Sequence, residues 1–320
     1  MRKAIPEGQW IRHYWQTDVM AVAVVAGMVA AAEALRQPEV IFPEIAALTI
    51  GGWVAASQPW IVGRKKQCAL MAVVSILGIL LVRFSPLPML ANVALAFGAI
   101  AGLLLALHVT FYPAFSAGIL PILLGVRTWV YPLSVTALVL LVALGQWCFE
   151  KAGMRRPLMQ RLWHYDARRQ WPRFGGILMA VILLGIIGRR LHASMLIAPP
   201  LIVGAAEIAD PESPAGARMA VCWAVVAICA VLGAGCRTVF MIAGGLPGWV
   251  AAGAALFLVL MVARRARLYF PPAGAVALLP FLLPASVLRL YPLEVAAGFA
   301  LLGGAAMGIR QLQSERRPTI

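Results

Sequence analysis

Two stretches decide how this chain is read: Phe111–Pro121, FYPAFSAGILP, and Phe270–Pro280, FPPAGAVALLP. At a constant offset of 159 residues they match at Phe111/Phe270, Pro113/Pro272, Ala114/Ala273, Leu120/Leu279 and Pro121/Pro280. Each is followed by an Arg and a Tyr-Pro pair, Arg127 with Tyr131-Pro132 and Arg289 with Tyr291-Pro292. A duplicated, proline-interrupted apolar segment points to a membrane transporter built from two repeats.

The surroundings agree. The chain is 62% hydrophobic and 12% charged, with a mean hydropathy of +0.88. A soluble domain carries about 25% charged residues, so no water-soluble fold fits. Apolar runs near the length of a spanning helix recur at 17–36, 40–56, 67–84, 87–108, 110–125 and 129–149, then at 174–191, 194–209, 216–235, 238–263, 268–286 and 290–309. The second and fifth run of each set are short and Pro-led, so they either cross as broken helices or re-enter. Irregular backbone survives at membrane depth only where protein or a water-filled cavity satisfies it.

The repeat reaches further. Pro43 pairs with Pro199 at an offset of 156, and Pro59, Arg64 and Cys68 pair with Pro214, Arg218 and Cys222. The fold expected is therefore an all-α polytopic membrane protein with two parallel six-segment repeats. Its parts are an N-terminal segment 1–16, repeat 1 over 17–149, a basic connector 150–173, repeat 2 over 174–309 and a tail 310–320.

The net charge of +15 does not mark a nucleic-acid binder, because the basic residues cluster at the ends of apolar runs. That placement anchors a chain by the positive-inside rule. Arg2, Lys3 and Arg12, the connector arginines 155, 156, 161, 168, 169 and 173, and Arg310, Arg316 and Arg317 place both termini in the cytoplasm, in an inner (plasma) membrane. Arg64-Lys65-Lys66 and Arg264, Arg265 and Arg267 fall inside; Arg83, Arg127, Arg189, Arg190, Arg237 and Arg289 fall outside. The run Val19–Leu35 has a counterpart in the second half, so it reads as a helix rather than a leader. Cys222, Cys229 and Cys236 share a helix face as packing groups, and no metal or cofactor is expected. HExxH, GxSxG and Walker A patterns are absent from the sequence, so no enzyme and no ATP-driven pump is expected.

Pro271-Pro272-Ala273-Gly274-Ala275, preceded by Pro200 to Ala206, Glu212-Ser213-Pro214 and Arg218, resembles the HPP family of integral membrane proteins. The resemblance covers roughly 194–286, with a weaker echo over 40–125. Phe270 stands where the family has His, and the chain reads as two fused units. The resemblance implies passage of a small anion such as nitrite.

Pro-led helix starts offer unpaired N–H groups and a positive dipole end that suit an anion. The substrate-binding candidates are Pro43, Pro113, Ser116, Gly118, Pro199, Pro271, Pro272 and Gly274, the small residues letting backbone approach a ligand. Arg127, Arg289 and Arg218 are candidates for attracting anions, with interfacial anchoring as the plainer alternative. Glu44, Glu207 and His108 are candidates for proton coupling, since intramembrane acids are costly to keep. The function expected is secondary transport or channel-like passage of a small anionic solute at the repeat interface. A scaffold subunit and an intramembrane enzyme acting on a lipid-linked substrate are the alternatives. Small-residue spacings are too common here to decide for or against a homo-oligomer.

Overall fold

The structure, a computed structural model, describes residues 7–55, 58–154 and 167–315, with side chains over 15–55, 58–154 and 170–313. Every regular element among them is helical. The first stretch holds α1 (Glu7–Leu35), α2 (Glu44–Thr49, continued by a π turn Ile50–Val54), α3 (Arg64–Phe84), α4 (Met89–Leu107), α5 (Pro113–Leu124) and α6 (Val130–Lys151). The second holds α7 (Ala167–Leu191), α8 (Pro199–Ala209), α9 (Met219–Cys236, continued by a π turn Arg237–Ala243), α10 (Gly248–Arg265), α11 (Pro271–Leu278, continued by a 3-10 turn Leu279–Leu282) and α12 (Tyr291–Glu315).

Among the described residues, eight helices are long and apolar enough to cross a bilayer: α1, α3, α4, α6, α7, α9, α10 and α12. Between 33% and 50% of each span is buried inside the protein, so each keeps a broad apolar face for lipid. The short helices are the reverse. Every residue of α8 and of α11 is buried, as are Pro113–Ile122 of α5 and all of α2. A helix that is apolar all round belongs in the interior, and these four form the centre of the bundle. α2 packs on α11 and α5 on α8, while α1 packs on α10 and α4 on α7.

Side-chain ties order the two ends. At the face where the described chain begins and ends, the terminal face, Arg64 pairs with Glu150 and Arg264 with Asp18. Arg310 there bonds the carbonyls of Ile208, Asp210 and Ser213. At the far face Glu33 accepts the Gly248 N–H at 2.6 Å, Glu294 accepts the Met195 N–H at 2.9 Å, and Arg127 donates to the Val82 carbonyl. α1 and α7 therefore both leave the terminal face. Each short helix completes its passage with a non-α-helical stretch, 36–43, 108–112, 192–198 and 266–270.

Details recur in both stretches. Arg36 after α1 and His192 after α7 have φ of 53° and 55°, and His108 after α4 and Arg267 after α10 have φ of 54° and 48°. Left-handed backbone is uncommon outside Gly, yet these four fall into two pairs at the sequence offsets of 156 and 159. Tyr131 Oη donates to the Ala117 carbonyl at 2.9 Å, and Tyr291 Oη to the Val276 carbonyl at 2.6 Å. A Cβ on Gly78 would meet the Gly118 carbonyl oxygen at 2.4 Å; one on Gly233 would meet that of Ala277 at 2.1 Å.

Two sequence boundaries shift. The break expected between 235 and 238 lies at Gly244–Pro247, with Gly245 at φ 63°. Arg237 does not end the helix, because its guanidinium reaches the Pro280 and Leu283 carbonyls while its backbone continues as the π turn. The connector is also narrower than expected: α6 runs to Lys151 and α7 starts at Ala167, so Arg173 belongs to a helix. The remaining connector and tail arginines lie outside the residues whose side chains are described, apart from Arg310.

Candidate functional site

The four Pro-led starts lie in the interior, as the sequence suggests, but their chemistry differs from the expectation. Pro43 is the N-cap of α2, and Pro113, Pro199-Pro200 and Pro271-Pro272 open α5, α8 and α11. Proline removes the N–H itself. The next donors close onto nearby carbonyls: Ala114 on Phe111 at 3.2 Å, Leu201 on Ala198 at 2.8 Å, Ala273 on Phe270 at 3.1 Å and Ile45 on Phe42 at 3.0 Å. These starts are tight turns with their leading donors removed or engaged. Pro43, Pro113, Pro199, Pro271 and Pro272, expected to frame a cradle for an anion, thus stand at starts with few open donors.

Gly118 and Gly274 are packing positions. A Cβ on Gly118 would meet Ile100 Cδ1 at 2.6 Å and the Val74 carbonyl at 3.2 Å. One on Gly274 would meet Ile50 Cδ1 at 2.6 Å and Ala46 Cβ at 3.2 Å. Both glycines bring helix against helix, and neither clears space for a ligand.

Ser116 and Glu44 do meet. Ser116 Oγ donates to Glu44 Oε1, joining α5 to the start of α2. Glu44 is 1% exposed, and its Oε2 has no hydrogen-bond partner. The hydroxyls of Tyr131 and Tyr291, the two matched tyrosines, lie within electrostatic reach of it. An ionised carboxylate with one free oxygen in such surroundings is expensive to maintain, which suits a group that holds a proton.

The second polar cluster lies where the start of α5 meets the end of α8. Tyr112 Oη donates to Asp210 Oδ2 at 2.5 Å, and Arg173 Nη2 donates to Tyr112 Oη at 3.0 Å. Arg173 Nη1 stands 3.5 Å from Asp210 Oδ1, an ion pair without a hydrogen bond. Arg173 is 1% exposed, and neither its Nε nor its Nη1 has a hydrogen-bond partner. Its guanidinium sits over the rings of Phe174 and Tyr112, 4.8 and 5.6 Å from their centroids. Phe174 belongs to an aromatic group with Phe97 and Phe115, which fixes α7 against α4 and α5. One turn before Asp210, Glu207 Oε1 accepts from Trp60 Nε1 at 2.7 Å. Glu207 is thus a buried tie between the two halves rather than part of the loop after α8.

The other candidates lie apart. Arg127 and Arg289 are exposed at the far face. Arg218 donates to the Arg267 and Ala266 carbonyls at 2.8 and 2.9 Å, closing the C-terminus of α10. His108 is the exposed C-cap of α4. No group of three metal-ligating side chains occurs among the described residues. Cys222, Cys229 and Cys236 are buried in the helix core, with Cys222 Sγ 3.5 Å from the Ala215 carbonyl.

Reading the sequence missed Arg173, Tyr112, Asp210 and Trp60 as site residues. Tyr112 lies inside the opening motif, but only the prolines and small residues around it carried an argument. Arg173 stands at the end of a basic run and looks like one more anchor. Its one local signal is the aromatic company of Trp171 and Phe174.

Comparison with protein-family models, with curated proteins and with solved structures returned no match.

Proposed function

We propose that this chain is a secondary permease for a small anion, built from two parallel repeats, with Arg173 as the group that receives the anion. The carrying observation is the buried Arg173 guanidinium, two of whose nitrogens have no hydrogen-bond partner, at the crossing of two broken helices. Broken helices meeting in the interior are where transporters hold their substrates. A planar guanidinium binds carboxylate-like and nitrite-like oxygens through paired donors. Asp210 occupies that guanidinium as a tethered internal anion. A proton on Asp210 removes its charge and frees Arg173 for a substrate anion.

Several findings support the two-repeat reading: the same order of long and short helices, the paired left-handed residues and the matched tyrosine bonds. The HPP resemblance supports the anion class. Lys65, Lys66, Lys151, Arg264, Arg265 and Arg267 all lie at the terminal face, which supports a cytoplasmic placement of that face in a plasma membrane.

One observation favours the scaffold alternative. The starts of the short helices have closed turns, and their glycines are filled by neighbouring side chains and backbone. Thermal unfolding in detergent with nitrite, nitrate, formate, acetate or chloride separates the readings. A ligand at one hundred times its Kd stabilises by about 2.7 kcal/mol. The permease reading expects a saturable rise in Tm with at least one of these anions, absent when Arg173 and Asp210 are replaced together by Gln and Asn. No rise with any of them favours the scaffold.

A further inference from the structure

The two polar clusters share a face. Tyr112 and Ser116 are four residues apart on α5, so they lie one above the other. The first is bonded to Asp210 and the second to Glu44. Glu207 and Asp210, three apart on α8, face the same seam. Glu44, Ser116 and Asp210 are 1%, 0% and 6% exposed, and Tyr112 is 2% exposed. The buried groups form one polar line from the middle of the bundle to the terminal face, where Pro211 and Glu212 are accessible.

The line occurs once in a scaffold whose backbone details occur twice. At the repeat offsets, Tyr112 and Ser116 correspond to Pro271 and Ala275, Glu44 to Pro200, and Glu207 and Asp210 to Gly51 and Val54. None of those counterparts ionises. Packing alone would favour the same apolar filling on both sides, so the polar line marks a task that only one seam performs.

Towards the far face Glu44 is closed off. The Phe42 N–H is bonded to Met28 Sδ at 3.2 Å, the Phe42 ring stands edge-on to Tyr131 at 6.2 Å, and Ile41 and Phe42 are buried.

We infer that protons reach Glu44 from the terminal face along Asp210, Tyr112 and Ser116, making this seam the proton path of the permease. The inference rests on the permease reading and names its coupling ion and side of entry. A proton arriving at Asp210 reverses the Tyr112–Asp210 hydrogen bond, so that Asp210 donates to Tyr112 Oη while the Tyr112 O–H turns away from Asp210 towards Ser116. The Asp210 O–H bond then breaks as the hydroxyl proton of Tyr112 leaves on the other side. Water carries the step along the turn between Tyr112 and Ser116. Ser116 Oγ then accepts that proton and releases its own, so an Oγ–H bond breaks as the Glu44 Oε1–H bond forms. One proton has moved from Asp210 to Glu44, both hydroxyls are regenerated, and nothing is oxidised or reduced. The groups facing this path are Ser116, Tyr131 and Tyr291 around Glu44, and Tyr112, Arg173, Glu207, Glu212 and Arg310 around Asp210. Arg173, 3.5 Å from Asp210 Oδ1, ties the path to the anion site, because a proton that arrives at Asp210 releases Arg173 for substrate.

The test uses the whole protein in liposomes, sorted for orientation by an impermeant amine reagent that reads Lys65, Lys66 and Lys151. A lipophilic carbodiimide, which reacts with protonated buried carboxyls, is applied under opposed pH gradients. Modification at Glu44 is then read by peptide mass spectrometry. The expected result is labelling that rises when the terminal-face pH falls and ignores the far-face pH. Tyr112→Phe, Ser116→Ala and Asp210→Asn should each lose this response while keeping a cooperative melt. Labelling that follows the far-face pH, or a response intact in all three variants, overturns the path. A folded protein whose Glu44 never labels overturns the path too, but leaves the permease reading to the separate anion-dependent shift in Tm.

Discussion

Tyr112 Oη donates a 2.5 Å hydrogen bond to Asp210 Oδ2, tying the start of α5 to the end of α8 and so one half of the chain to the other. Arg173 completes the cluster from α7, entirely out of water. Removing one member of a buried charge pair costs about 3–5 kcal/mol, because it strands the other. Asp210→Ala should therefore lower stability by ~3–5 kcal/mol, and Tyr112→Phe by ~1.5–3 kcal/mol as the loss of a bond to a charged group. Replacing Arg173 and Asp210 together by Met and Leu should cost much less than Asp210→Ala alone. Denaturation of the purified protein in a double-mutant cycle checks this, and additive single effects would mean that the pair is not coupled.

Gly78 and Gly233 hold close contacts between long and broken helices, each against a carbonyl of the broken helix. Backbone cannot give way as a flexible side chain can, so overpacking there should cost ~1–3 kcal/mol or more. Gly78→Ala and Gly233→Ala should both lower Tm in detergent. Gly98→Ala and Gly235→Ala, where an added Cβ meets nothing within 4 Å, should be neutral or raise it by helix propensity, worth up to about 1 kcal/mol. If only one of the first two lowers Tm, the equivalence of the halves fails.

α2 and α11 touch across the halves at Ala46 and Gly274, where a Cβ on Gly274 would stand 3.2 Å from Ala46 Cβ. Disulfides form at Cβ separations of roughly 3.5–4.5 Å, within a small adjustment. In a background without Cys68, Cys148, Cys222, Cys229 and Cys236, the pair Ala46→Cys and Gly274→Cys should oxidise readily. Cleavage in the connector followed by non-reducing electrophoresis reads this as one band instead of two. Two bands under oxidising conditions would contradict the contact.

Among the described residues, the lysines Lys65, Lys66 and Lys151 all lie at the terminal face. With that face in the cytoplasm, an impermeant amine reagent should leave all three unmodified in intact cells and modify them in inverted vesicles. Modification from outside would reverse the orientation.

Much of the architecture was legible because it follows from one-dimensional patterns. Pro43, Pro113, Pro199 and Pro271 stand near the starts of the short apolar runs 40–56, 110–125, 194–209 and 268–286, which therefore read as broken or re-entrant. The grouping of Arg64, Lys65 and Lys66 against Arg83 and Arg127 across the bundle came from charge position and agrees with the two faces. Glu44 stood out because acids are rare in such surroundings, and its contact with Ser116 joins two residues singled out for different reasons. What the sequence does not carry is the direction of donors and the identity of distant partners. Nothing local says that Ala114, Leu201 and Ala273 close the N–H groups of their own turns. Nor does anything local say that Arg173, at the end of a run of arginines, turns inward to meet Tyr112 and Asp210. Arg237 misled the reading for the same reason: an Arg in an apolar run looks like a boundary unless its carbonyl partners, here Pro280 and Leu283, are known.

The most direct test of the central claim is uptake of nitrite, nitrate, formate and acetate into proteoliposomes containing the wild type or the Arg173→Gln, Asp210→Asn pair, a neutral replacement of similar shape. The account predicts saturable uptake of at least one of these anions by the wild type, lost in the paired variant while cooperative melting is kept. No uptake by well-folded wild type, or equal uptake by both proteins, would contradict it.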